Sequence, residues 1–478
     1  MKVNPQIFRG YDLRGLVDKD LSPEIALHLG KAYGTYLSRQ DIHTAIVSRD
    51  CRATGPSYSK AISEGLRWAG IDVTDIGMQL VGTFYWSQYH LKIPAGVYVS
   101  ASHNPPEFNG FKFANGYSET LVSDGMQQLR QMVEDEDYDQ GKAEGSFKEE
   151  DIRPAYYEDL TKRLPITKRF KVVVDPSCTT AGDIAPEILR KAGCEVVEYN
   201  TNVDSSFPLG VADPTETQVV ERLRDEVLES KADIGFTYDA DGDRIGIVDE
   251  AGNIIWNDVL LALFAIDVLR DHPGSKIMFN TLCSKVVPET IERSGGIPFM
   301  WRTGHSFLKK KNQEVKAVFI GELSGHFFFS KDFYNHDDGL YSTLRLLQAI
   351  ERSGRKLSEL IEEMPRYVSS PEIKVFCPDE EKQTVIKELA PILHQKYPEA
   401  EVIDDQRAGD GIRLELKDGM FVVRYSQNGP YLTIKFEARD EAGYEALRQS
   451  INDILHQLPE IDWESPISAN VEALTHKA

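Results

Sequence analysis

The chain has 478 residues, of which 41% are hydrophobic and 27% charged, with a formal net charge of −22. This is the composition of an ordinary globular protein with room for roughly three or four domains. The acidic balance argues against nucleic acid or an anionic membrane as the main partner, and leaves open a small anionic substrate held by local cations.

The first ten residues, Met1 to Gly10, contain no apolar run, so no signal peptide is expected. Cys51, Cys178, Cys194, Cys283 and Cys377 form no CxxC pair, which favours a reducing, cytoplasmic setting. The most apolar helical stretch, Val259 to Leu269, is too short to span a bilayer and contains Asp267, so it reads as a core helix.

Three segments share one layout of strand, polar turn, amphipathic helix closed by glycine, and second strand. They begin at Ala45, Lys171 and Lys276, and their helices end at Gly70, Gly193 and Gly296. Glycine after the last helical turn adopts the left-handed conformation cheaply. Alternating strands and helices predict mostly parallel sheets in three related α/β domains. The C-terminal part differs: helices over residues 380–394 and 441–458 flank strands near 411–416, 420–424 and 431–437, an α+β domain. Polar stretches set the expected divisions at 1–150, 151–255, 256–370 and 371–478.

Four segments can carry chemistry. Ser102 and His103 lie in a loop broken by Asn104, Pro105, Pro106 and Gly110, just after the buried strand predicted over residues 95–99, with Lys112 following. A nucleophile on the turn after a strand is where open α/β sheets place their chemistry. The alternative is that Ser102 caps a turn and His103 satisfies a buried hydrogen bond. No Gly-x-Ser-x-Gly elbow supports a serine hydrolase. Next, Asp239, Asp241 and Asp243 alternate after a strand over 234–238. In extended chain such side chains point the same way, and three clustered carboxylates call for a cation; hard oxygen donors suit Mg²⁺. A solvated acidic turn or a Ca²⁺-type loop is the alternative.

Third, Gly321-Glu322-Leu323-Ser324-Gly325-His326 puts a carboxylate, a hydroxyl and an imidazole at a strand end, suited to sugar hydroxyls and proton movement. An ordinary turn is the alternative. Nearby, Arg302 and His305 offer another cation and imidazole, Lys309 to Lys311 read as a solvated helix face, and Asp337-Asp338-Gly339 as a helix start with an aspartate cap. Fourth, Arg424, Ser426, Gln427 and Asn428 surround a tight loop whose donors suit a phosphate, or which simply joins two strands.

Taken together and in order, Phe8-Arg-Gly-Tyr-Asp-Leu-Arg14-Gly, Ser100-Ala-Ser102-His103-Asn-Pro, Asp239-Ala-Asp241-Gly-Asp243-Arg244, Gly321-Glu-Leu-Ser-Gly-His326 and the Arg424 loop resemble the α-D-phosphohexomutases, specifically the phosphomannomutase/phosphoglucomutase group. The resemblance runs essentially end to end. It implies four domains around a central cleft, three of related α/β topology and a fourth for phosphate binding.

It also implies the roles. Ser102 is the phosphoserine, and Asp239, Asp241 and Asp243 hold Mg²⁺ together with the Ser102 phosphate. Arg14, Lys112 and Arg244 steady the reacting phosphoryl group, with Lys112 a candidate proton carrier beside His103. Glu322 and Ser324 read sugar hydroxyls; His305 and His326 bind the sugar phosphate or shuttle protons. Arg424, Ser426, Gln427 and Asn428 grip the phosphate that is not reacting.

The implied reaction interconverts hexose 1-phosphate and hexose 6-phosphate, of mannose or glucose, through a hexose 1,6-bisphosphate that turns end for end and also serves as activator. A monomer or homodimer is implied. Leu323 favours this group over the phosphoglucosamine mutases, which tend to have glutamine there. That mutase, a phosphatase acting through phospho-Ser102, and a non-catalytic sugar-phosphate binder are the rivals. Two departures bear on affinity and substrate range: Gln427-Asn428-Gly429 replaces the usual end of the phosphate loop, and Leu282 stands where many relatives have lysine, with Lys285 as a possible substitute.

Overall fold

The computed structural model describes residues 1–426 and 429–475. The chain forms two compact units: residues 1–257 with 324–362, and residues 258–323 with the segment from 363 onward.

The first unit holds two sheets. One contains β1 (Leu13–Leu16), β2 (Thr44–Arg49), β3 (Asp72–Met78), β4 (Ala95–Val99), β5 (Phe108–Asn115) and β6 (Phe147–Glu149), in the order β1-β5-β4-β2-β3-β6. β2 pairs in parallel with β3 and β4, whereas β5 runs antiparallel to β4 and to β1. The other contains β7 (Lys171–Asp175), β8 (Glu195–Glu198), β9 (Ile234–Tyr238), β10 (Ile245–Asp249) and β11 (Ile254–Ile255), in the order β11-β10-β9-β7-β8. β7 is parallel to β8 and β9, and β10 returns antiparallel. Central strands β4, β9 and β10 are buried along their whole length, as their unbroken apolar runs require.

The second unit holds β12 (Lys276–Asn280), β13 (Ile297–Trp301) and β14 (Phe319–Gly321), with β12 parallel to both neighbours. Its C-terminal part is an antiparallel sheet built largely on the three long strands Gly411–Leu416, Gly419–Tyr425 and Tyr431–Ala438, joined register by register. The helices Lys382–Lys396 and Glu441–Leu455 pack their apolar faces onto it through Val385, Leu389, Leu393, Ile451 and Ile454. The mixed, mostly parallel α/β architecture with a C-terminal α+β domain is therefore as expected.

Gly70, Gly193 and Gly295 all have positive φ, which ends the three helices as their sequences predict, although the third uses the first glycine of its pair. The Lys309–Lys311 segment departs from expectation. The helix is His305–Val315, and its inward face carries His305, Lys309 and Asn312, spaced by about one turn, so Lys309 is buried. Lys311 lies over the Trp301 ring, 4.6 Å from its centroid. Asp338 caps the helix Gly339–Ser353, accepting from Tyr341 N–H. No helix among the described residues is long and apolar enough to cross a membrane.

Candidate active site

Topology brings the first unit's reactive side chains together. β2 and β4 run in parallel, with Arg49 opposite Val99, so their carboxyl ends deliver Asp50 and Ser100 side by side. Antiparallel β5 returns past β4 with Lys112 opposite Tyr98, and β1 sets Arg14 opposite Gly110. Asp239 follows β9 directly. The three aspartates do not lie in extended chain: they occupy the turn between β9 and β10, and Gly242 at φ +69° lets that turn close. Convergence comes from the turn, and carboxylate oxygens of Asp239, Asp241 and Asp243 all lie within 4.8 Å of one another.

Ser102 sits at the centre. Its Oγ donates to Asp239 Oδ2 at 3.1 Å and lies 3.2 Å from His103 Nδ1. Its backbone is left-handed, with φ +51°, unusual for a residue with a Cβ and held only where surroundings enforce it. The enforcement comes from both sides. Ser102 N–H donates to Ser100 Oγ at 2.8 Å, and Ser100 Oγ–H donates to Asp50 Oδ2 at 2.7 Å. On the other side, Arg52 donates to the Ser102 carbonyl at 2.7 Å and to those of Asn104, Pro105 and Phe108 at 2.6 to 2.8 Å. Arg52 is 1% exposed and ion-paired with Asp50 at 3.1 Å.

Nothing in the local sequence marks Asp50 and Arg52 as loop supports, because their partners lie about fifty residues away. A lysine cannot match the planar fork that spans four carbonyls. Arg52→Lys is expected to loosen the Ser102 loop and lower any activity that depends on Ser102 by about tenfold or more, because several charged hydrogen bonds of about 1.5–3 kcal/mol are weakened. Thermal melting and single-turnover kinetics on the same sample check this. A normal rate in a folded variant would show that the clamp is dispensable.

Cations surround the carboxylates. Lys112 Nζ lies 2.8 Å from Asp241 and 3.0 Å from Asp243. Burial works against the Lys112 charge, but those two carboxylates outweigh it and raise its pKa well above the ordinary value. Arg244 bonds Asp239 at 3.0 Å and Asp213 at 3.1 Å. Burial again opposes the charge, and Asp213 with Asp239 raises the guanidinium pKa regardless. Arg14 is tied to Asp12 and to Asn104 Oδ1, both at 2.8 Å. Burial, then the charge of Arg244, drives the His103 pKa well down, so its imidazole is neutral. Burial, then Asp243, pushes Asp239 well above the usual carboxylate range. His326 Nδ1 lies 2.8 Å from Asp337 Oδ2 and 3.6 Å from Asp243. Asp213 and Asp337 are thus further site residues; sequence reasoning singled out neither, Asp337 having been read only as part of a helix start.

The donor set fits a hard divalent cation. It is all oxygen, crowded with like charge, and Asp241 Oδ1 is buried without a hydrogen-bond partner among the described residues. Arg244 Nη2 is likewise buried without one.

The second unit carries other expected site residues. Glu322 Oε1 accepts from Gly304 N–H at 2.9 Å and from Asn280 Nδ2 at 3.3 Å, while His305 starts its helix and is buried. Arg424 makes a two-point pair with Asp410, at 3.1 and 2.7 Å. Ser426 is buried beside it, and Ser324, in the first unit, is half-buried. Gln427 and Asn428 lie outside the described residues. Lys285 is held by Glu415 at 2.9 Å and by the Leu416 carbonyl.

Three domain models of one family match the chain: phosphoglucomutase/phosphomannomutase alpha/beta/alpha domain I over residues 5–140, domain II over 154–252 and domain III over 256–367. A phosphomannomutase/phosphoglucomutase of Pseudomonas aeruginosa is 35% identical over 461 residues, covering 96% of this chain and 97% of the relative. A Neisseria gonorrhoeae phosphoglucomutase is 32% identical, covering 96% and 99%. The crystal structure of a phosphoglucomutase/phosphomannomutase family protein from Burkholderia thailandensis superposes with a TM-score of 0.88 at 32% identity, over 96% of this chain and 99% of that one. The chain belongs to the phosphoglucomutase/phosphomannomutase family. It is accordingly an enzyme of the mutase type, an intramolecular phosphotransferase.

Proposed function

We propose that the protein is a Mg²⁺-dependent phosphohexomutase that interconverts the 1- and 6-phosphates of mannose or glucose, with the phosphoryl group carried on Ser102. The observation that carries this reading is the hydrogen bond from Ser102 Oγ to Asp239, inside a buried group of three carboxylates flanked by Lys112 and Arg244. Asp239, Asp241 and Asp243 would hold the cation, which neutralises phosphoryl charge when bound.

The chain's own residues divide the rest. A sugar hydroxyl attacks phosphorus, a new P–O bond forms, and the bond to Ser102 Oγ breaks. Lys112, held as an ammonium by two carboxylates, and Arg244, whose Nη2 has no partner among the described residues, counter the charge on the phosphoryl oxygens. Arg14 steadies the same group. Lys112 is poorly suited to accept the hydroxyl proton, so that role falls to His326, whose Nδ1 is fixed by Asp337. The Ser102 oxygen released when the phosphoryl group leaves takes up a proton, for which the Lys112 ammonium is the charged donor in the site, and neutral His103, 3.2 Å from Ser102 Oγ, holds the serine by a hydrogen bond. Glu322 and Ser324 read sugar hydroxyls, His305 contacts the sugar phosphate, and Arg424 with Ser426, Gln427 and Asn428 grips the phosphate that is not reacting.

Hexose 1,6-bisphosphate is the intermediate and activator. The divisions 1–150, 151–255, 256–370 and 371–478 give the phosphoserine, metal, sugar and phosphate segments of this reading. A cytoplasmic location and a monomer or homodimer complete it.

A coupled assay with Mg²⁺ and a trace of glucose 1,6-bisphosphate tests the proposal, with mannose 1-phosphate, glucose 1-phosphate and glucosamine 1-phosphate compared by kcat/KM. Conversion of the first two to 6-phosphates is expected. Release of inorganic phosphate alone would make the enzyme a phosphatase instead. In the same assay, Arg424→Ala is expected to raise KM by about tenfold, the worth of one charged hydrogen-bonded contact, with a smaller effect on transfer. An unchanged KM would remove Arg424 from the phosphate site.

A further inference from the structure

In the second unit the carboxyl ends of β12 and β13 emerge together. Asn280 is opposite Trp301, and Thr281 N–H donates to the Trp301 carbonyl at 3.0 Å. The two following side chains, Leu282 and Arg302, therefore leave neighbouring strand ends. Leu282 is buried in an apolar cluster with Met420 and Val422, so its position supplies no cation. Most of the basic side chains around it have a carboxylate partner: Lys285 and Arg413 share Glu415, Arg407 has Asp405 and Glu401, Lys435 has Asp258, and Arg424 has Asp410.

Arg302 is the exception. Among the described residues it makes no hydrogen bond and no ion pair, and its Nε is buried without a partner. Yet the side chain is not loose. Its guanidinium lies over the Phe307 ring, 4.3 Å from the centroid. On the other side, Gly409, at φ +67°, approaches so closely that a Cβ there would fall 2.6 Å from Arg302 Cβ and 2.9 Å from its Nε. Any other residue at Gly409 would push the arginine out of place. Much of the conformational entropy of Arg302 is thus already spent, while its donors have no partner among the described residues, an arrangement prepared for an anion. Gly409, packed on Arg302, directly precedes Asp410, the partner of Arg424, so both arginines lie at one loop; burial, then Asp410, raises the Tyr425 pKa there, and both guanidinium groups pull it back. With Asp410 answering only one of two positive charges, the site has a charge to spare for a phosphate dianion.

We infer that Arg302 is a binding residue for the non-reacting phosphate of the sugar substrate, acting with Arg424. This rests on the reading of the previous subsection. It gives the second phosphate site a pre-packed cation that Leu282 and Lys285 do not provide.

The test uses the full chain, its Arg302→Met variant, and Arg302→Gln in case the first does not fold. KM and kcat are measured with glucose 1-phosphate and mannose 1-phosphate, and binding of inorganic phosphate is followed by calorimetry. Arg302→Met is expected to raise KM and weaken phosphate binding by about ten- to hundredfold, with kcat changed much less. Arg302→Lys, which keeps the charge, should fall between. A folded Arg302→Met or Arg302→Gln variant with unchanged KM and unchanged phosphate binding overturns the inference. If the unaltered chain turns over neither sugar, the functional reading fails, and the phosphate titrations alone still decide whether Arg302 binds the anion.

Discussion

Ser102→Ala is expected to lose mutase turnover by on the order of 10⁴-fold or more, because in the proposed function it removes the atom that carries the transferred group from a unit of cooperating residues. The hydroxyl is the only part of Ser102 the substitution deletes. Its backbone contacts to Ser100 and Arg52 use the amide and the carbonyl, and alanine keeps both. Melting temperature should therefore change little, and the loss should fall on kcat. Near-normal turnover in Ser102→Ala would place the phosphoryl group elsewhere. Persistent sugar-phosphate binding with no turnover is the expected companion result.

The second large effect is at Asp241. One of its oxygens accepts from Lys112 at 2.8 Å, and the other is buried with no partner among the described residues. A buried carboxylate oxygen left in that state is costly unless a cation completes it. Asp241→Asn is expected to weaken Mg²⁺ binding and activity by on the order of 10²-fold, with activity partly recovered at high Mg²⁺. A readout that needs no turnover is available. Mg²⁺ should raise the melting temperature of the unaltered protein by binding its folded state, and chelation should reverse the rise. In Asp241→Asn the shift should appear only at much higher Mg²⁺. A full Mg²⁺ shift at the original concentration in the variant would exclude Asp241 as a ligand.

How much of this was legible in the chain follows from the range of the interactions. Strand, helix and glycine punctuation act over a few residues, so the three repeated α/β units and the three long C-terminal strands were readable from their periods and turns. Short edge strands such as Glu401–Ile403 were not, because three residues carry too little pattern. The clustering of Asp239, Asp241 and Asp243 was expected from strand alternation. It arises instead from a tight turn closed by Gly242, a result that alternation alone does not distinguish.

The supports of the site were the least legible. Arg52 reaches carbonyls about fifty residues on, Asp213 meets Arg244 thirty-one residues away, and Ser102 meets Asp239 across 137. Only the sheet topology sets these pairs. Asp337 was read as part of a helix start. The cap is its neighbour Asp338, which leaves Asp337 to hold His326. Lys309 was read as solvated because the three lysines look alike in sequence. The register of the helix from His305 distinguishes them.

The central claim is that Ser102 hands its phosphoryl group to the sugar. The most direct measurement is a single turnover with protein isotopically labelled at phospho-Ser102, mixed with unlabelled glucose 1-phosphate and Mg²⁺. The account predicts that label leaves Ser102 and appears in hexose 1,6-bisphosphate and then in hexose 6-phosphate. Label recovered only as inorganic phosphate, or retained on Ser102 while product forms, would contradict it.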